Sequence, residues 1–166
     1  MSKNVWASLI EHNNWANLQI LDACEILTEE QLDFEPQTAV RGTIRDTLQH
    51  LVLSQEDYTS ILTTYDHSPE RETVLTLSEL REVAVRSGSV LVSMVQDLSN
   101  ELLQSQIHLS DGYRVEPWVN IVQVINHATE HREQIKSVMS ALGVEPPRID
   151  GWMYGRQINA LIPPSS

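Results

Sequence analysis

A chain of 166 residues with 41% hydrophobic content has material for one core, so residues 1–166 read as a single domain. The formal net charge of −12 removes any general attraction to phosphate, which argues against a nucleic-acid partner and against an anionic membrane surface. No apolar run approaches the ~18 residues of a membrane span. Met1-Ser2-Lys3-Asn4-Val5-Trp6 lacks the apolar stretch of a secretion signal, and the lone Cys24 excludes an intrachain disulfide, so the expected location is cytoplasmic.

Residues 3–27 read as the first helix: Trp6, Leu9, Ile10, Asn13, Leu18, Ile20, Leu21, Cys24 and Leu27 recur at three- and four-residue steps. Cys24 falls in this apolar set and reads as a small packed hydrophobe, not a nucleophile. Thr28 is placed to cap a short turn of helix around Leu32, and Pro36 to Gly42 breaks the chain. The second helix starts at the cap Thr43 and runs to about Tyr65, with Ile44, Leu48, Leu51, Val52, Tyr58, Ile61 and Leu62 inward. His50 lies beside this stripe and by itself reads as a core or boundary residue.

A polar connection over residues 66–76 contains His67, which reads as solvated. Ser78 is the expected cap of a third helix running to about Leu103, with Leu80, Val83, Ala84, Leu91, Met94, Val95, Leu98 and Leu102 inward. Residues 104–116 alternate around Ser110-Asp111-Gly112, the pattern of a small hairpin or an extended crossover, and put His108 toward solvent. Pro117 suits the first turn of a fourth helix that Gly143 and Pro146-Pro147 stop near Leu142. Ile149 to Ile162 reads as one short helix packed across the others, followed by a frayed Pro163–Ser166 tail. The expected fold is therefore an all-α four-helix bundle with a hairpin or crossover before the fourth long helix and a short C-terminal helix.

The fourth helix carries His127-Ala128-Thr129-Glu130-His131. Histidines four apart on a helix point the same way with Cβ atoms about 5–6 Å apart, which suits two imidazoles on one metal ion. The ordinary alternative is a pair of unrelated helical histidines. The surrounding apolar segment favours inward rings, and a buried imidazole needs a partner. The pattern also matches the inverted metalloprotease motif. On the helical wheel, however, Glu130 lies about 60° from His127 and about 100° from His131, off to one side. With 35 residues left after His131 the match is read as coincidence, so Glu130 is expected to be neither ligand nor base.

Taken together, Gly42-Thr43-Ile44-Arg45-Asp46-Thr47-Leu48-Gln49-His50-Leu51, then Asn126-His127, His131-Arg132 and Gln134, and Asn13-Asn14-Trp15-Ala16-Asn17 on the first helix resemble the DinB-like (YfiT-like) family of metalloproteins over nearly the whole chain. The resemblance implies a four-helix bundle in which His50, His127 and His131 hold one divalent metal ion, zinc or nickel. Three neutral imidazoles with an open position are the arrangement expected of a catalytic rather than a structural site. Related members include transferases using the low-molecular-weight thiols bacillithiol and mycothiol, so the resemblance also implies a metal-dependent thiol S-transferase acting on a small-molecule electrophile. The alternatives are a hydrolase, for which Glu130 and Glu133 are the nearest bases in sequence, and a non-catalytic metal or small-ligand binding protein. Gln134 is expected to orient His131 or a thiol by a hydrogen bond, and His12 is a candidate for the open end of the site. The resemblance further implies a homodimer, with Trp6 and Ile10 as anchors for a partner helix.

Overall fold

The computed structural model describes residues 4–37, 42–63, 73–99 and 103–162. His67, Leu102, the outer end of the second predicted helix at Tyr65 and the Pro163–Ser166 tail lie outside these residues. Six helices and one hairpin follow in order among the described residues: α1 (Val5–Cys24), α2 (Glu29–Leu32), α3 (Ile44–Leu62), α4 (Leu77–Gln96), β1 (Ile107–His108), β2 (Arg114–Val115), α5 (Pro117–Ala141) and α6 (Gly151–Gln157). Each of α1 and α3 packs against both α4 and α5, which closes the four long helices into a bundle. No described helix is long and apolar enough to cross a membrane.

Caps set the helix starts. Asn4, Thr28, Thr43 and Asp150 each accept a hydrogen bond from a first-turn amide. The third long helix departs from expectation, because its cap is Thr76 and not Ser78. Glu79 stands three residues after Thr76, and its carboxylate reaches back to the Thr76 amide at 2.7 Å, a reciprocal pair that Ser78 could not form with its neighbour. At the far end of α5, Gly143 takes φ +74°, which lets the Gly143 amide donate to Ser140 and the Val144 amide to Met139. That left-handed step satisfies carbonyls at the helix end and turns the chain toward α6. The hairpin pairs Ile107 with Val115 and His108 with Arg114, and His108 is exposed as its alternation required.

The interior divides into two apolar clusters. One holds Ile20, Leu21, Cys24, Ile44, Leu48, Leu51, Leu80, Ile135 and Met139; the other holds Ile10, Leu91, Val95, Ile121 and Val124. Between them lies a polar layer built from all four long helices. Arg132 of α5 donates to Asn13 Oδ1 at 2.8 Å and Asn17 Oδ1 at 2.6 Å on α1. Asn17 donates to Gln55 Oε1 on α3 at 2.9 Å, and Gln55 donates to Ser87 Oγ on α4 at 2.9 Å. Two readings of the first helix change accordingly. Leu9 is 43% exposed, whereas Ile10 is fully buried and cannot anchor a partner helix.

Candidate metal centre

Helix α3 delivers His50 and α5 delivers His127 and His131 to one point at which their Nε2 atoms face one another. His50 Nε2 lies 2.9 Å from His127 Nε2, which lies 3.1 Å from His131 Nε2. Among the described residues this is the one group of three metal-ligating side chains whose donor atoms converge, all within 4.8 Å of one another. The three rings meet edge to face, with centroids 4.3–4.8 Å apart. Thus the helical pair alone marked two of the three, and the bundle brings in the third from 77 residues away.

Hydrogen bonds on the outer nitrogens orient the rings. His131 Nδ1 stands 2.8 Å from Gln134 Oε1. A carbonyl oxygen only accepts, so Nδ1 is the donor in this contact, and the ring turns its Nε2 to the centre. Gln134 thus stands against His131, one of the two partners expected for it. His50 Nδ1 faces Ser54 Oγ at 3.4 Å, and Tyr58 packs its edge on the His127 ring with centroids 5.4 Å apart. Sequence reading missed Ser54 and Tyr58, although their spacing of four and eight residues from His50 keeps both on its face of α3. Tyr58 is itself fixed from α5, where Asn120 donates to its carbonyl at 2.8 Å and Gln123 to its hydroxyl at 3.2 Å.

The donor set fits a divalent ion. Lone pairs converging at 2.9 and 3.1 Å repel unless a cation or a shared proton lies between them. A tetrahedral zinc with bonds of about 2.0–2.1 Å holds its nitrogens roughly 3.3 Å apart, close to the two contacts made by His127, and the three donor atoms all lie within 4.8 Å. His131 is buried while His50 and His127 are half-buried, so the centre is walled on one side and accessible on the other. A cleft of about 450 Å³ borders His50, lined by Arg45, Asp46, Gln49, Ser54 and Asp57 among others. Arg45 is already engaged there: it ion-pairs with Glu29, and its Nε donates to Asp33 at 2.6 Å, which holds the Asp33 carboxyl below its usual range.

The remaining predicted residues lie elsewhere. Glu130 is exposed and outside the converging group. Glu133 pairs with Lys136 at 2.7 Å and lines a different cleft. His12 lines that other cleft too: its Nε2 donates to the Ile149 carbonyl at 3.0 Å, and its ring sits against Trp15 and Tyr154. Its place is set by α6 crossing α1, a contact that the apolar spacing of α1 does not contain. Cys24 is fully buried, and burial pushes its thiol up to about 12, so it is the packed hydrophobe expected and no nucleophile. Arg132, next to the ligand candidate His131, is driven down to about 10 by burial, with nearby Glu133 opposing.

The sequence profile of the DinB family matches residues 1–160. No curated protein matches the chain. Among solved structures, the chain is similar to a DinB-like protein, YjoA, from Bacillus subtilis, at 15% identity and a TM-score of 0.64 over 86% of this chain and 98% of that one. At that identity the likeness shows a shared fold. The profile match, spanning all four long helices and all three converging histidines, shows the family: this chain belongs to the DinB family.

Proposed function

We propose that His50, His127 and His131 hold one divalent ion, zinc or nickel, with a coordination position left for a ligand, and that the protein is a metal-dependent thiol S-transferase of the cytoplasm. The observation that carries the metal site is the convergence of three Nε2 atoms, two of their contacts at 2.9 and 3.1 Å. A bound ion there would supply Lewis acidity, lowering the pKa of a thiol or a water at its open position. The protein's part is to keep the three imidazoles neutral and aimed, through Gln134 on His131 and Ser54 beside His50. In the reaction a small thiol gives up its proton, its sulfur bonds to a soft electrophile, and the leaving group departs with the displaced electron pair.

One observation favours a second reading. Asp46 and Asp57 line the cleft at His50 while Arg45 is taken up by Glu29 and Asp33, which gives a general base near the centre more support than a pocket for an anionic thiol. That reading is metal-dependent hydrolysis. The deciding experiment measures metal content by elemental analysis, then conjugation of a fluorogenic electrophile with bacillithiol, mycothiol, glutathione, coenzyme A and cysteine in turn. A metal-dependent rate with one of these thiols supports the transferase. A rate absent with all five, together with ester turnover lost in Asp57→Asn, replaces it by the hydrolase. A homodimer through the outer face of α1 belongs to the same proposal, with exposed Val5 and Leu9 in place of Ile10. Light scattering that finds a monomer at micromolar concentration excludes the homodimer.

A further inference from the structure

A second cleft lies along another flank of α5 and is bordered by a buried charge, Arg132, that has no ion-pair partner among the described residues. Arg132 is 3% exposed, and its partners are all neutral: Asn13 and Asn17 oxygens on Nη1, and Thr129 Oγ1 on Nη2 at 2.9 Å. A guanidinium has five N–H donors. The Nε–H and one Nη2–H of Arg132 have no partner among the described residues, nor has Arg132 an ion pair there. A buried charge without a counter-ion is costly. Scarcity of carboxylates does not explain it, because the chain carries 23 of them against 11 lysines and arginines.

The cleft that Arg132 borders has a volume of about 400 Å³ and is closed on its far side by residues 145–150. That volume is within the range of small-ligand sites. Its other cations are occupied: Lys136 pairs with Glu133 at 2.7 Å and Arg148 with Asp150 at 3.7 Å. Among the described residues, Arg132 and Glu145 remain as the two charged side chains of this cleft without an ion pair.

We propose that this cleft binds a small carboxylate, with the guanidinium of Arg132 as its anchor. A planar group with two N–H donors to spare matches the two oxygens of a carboxylate. The carboxylates of Glu133, Glu145 and Asp150 around the cleft disfavour a doubly charged phosphate. An amino acid and a simple organic acid share the recognised group, and Glu145 is the feature that would separate them by meeting an ammonium. The site uses none of the three histidines and does not depend on the metal reading.

The test is a titration of the full-length protein followed by ¹H–¹⁵N spectra of the arginine Nε–H groups. The Arg132 signal is assigned by through-bond spectra and checked by its loss in Arg132→Met. Sodium acetate, glycine and inorganic phosphate are added in turn against sodium chloride at matched ionic strength. We expect a saturable Arg132 shift with acetate or glycine in the millimolar range and none with chloride. Glycine saturating at severalfold lower concentration assigns Glu145 to the ammonium, and equal saturation leaves Arg132 as the sole anchor. The proposal is overturned if the signal fails to move, if chloride moves it equally, or if phosphate binds more tightly than either carboxylate. A shift that disappears in His127→Ala would move the carboxylate to the histidine cluster and also overturn it. The wild-type titration decides even if Arg132→Met does not fold.

Discussion

His131 and Arg132 are neighbours in sequence, yet they serve opposite kinds of polar assembly. His131 turns toward a group whose donor atoms all face one another, an arrangement whose centre calls for something the protein does not supply. Arg132, about 100° further round the helix, joins a layer in which Asn13, Asn17, Gln55 and Ser87 largely satisfy one another across four helices. The layer's members mostly answer one another across the bundle, whereas the cluster's donor atoms could hold a metal ion. One helix can carry both because successive side chains leave it on different flanks.

That contrast fails or sharpens under substitution. The largest effect is expected at the cluster. His127→Ala should weaken zinc or nickel binding by more than about 100-fold, beyond the roughly 10–100-fold that outer partners carry, while helical content is unchanged. Elemental analysis and circular dichroism check both halves, and full occupancy in this variant would remove His127 from the site. Arg132→Met should do the reverse. It leaves the Asn13 and Asn17 oxygens without their donor and should lower unfolding stability by about 2–3 kcal/mol in urea titrations, with metal occupancy kept. Loss of metal with unchanged stability would erase the distinction between the two assemblies.

Gln134→Leu removes the acceptor on His131 Nδ1 and should weaken metal binding about 10-fold or more, read by chelator competition. Retained affinity would make Gln134 a bystander. The smallest effect concerns Cys24, which belongs to neither assembly. Its folded thiol is raised from 9.0 to about 12, so the fold favours the protonated form. Its contribution to stability is thus complete below pH 9 and is lost as pH rises toward 12. Cys24→Ala should flatten that alkaline decline, and a thiol-specific reagent at pH 8 should modify the native protein far more slowly than the urea-unfolded chain.

The sequence carried most of the frame and part of the site. Helix order, the hairpin, the Gly143 stop and most of the inward faces, Leu9 excepted, follow from periodicity and turn chemistry, which are local properties. The i,i+4 pair His127 and His131 was legible for the same reason, whereas His50 alone read as a boundary residue until the motifs were taken together. One local choice was misread, because Thr76 outcompetes Ser78 as cap through its reciprocal pair with Glu79 three residues on. The rest of what escaped depends on a tertiary partner. His12 goes to the Ile149 carbonyl because α6 crosses there. The α1 partners of Arg132 lie 115 and 119 residues away, and no spacing rule reaches that far.

The polar layer has one more consequence, which concerns alignment. Apolar surfaces in a bundle are tolerant of sliding, since one leucine replaces another at modest cost. A slip of α5 by a single turn, about 5.4 Å, would strand Arg132 among hydrocarbon and leave the amides of α1 without their donor. The layer therefore works as a vernier that fixes the height of α5 against α1, and through Gln55 the height of α3. His50 and His127 sit on those two helices, so their meeting point is set by residues that do not belong to the converging group.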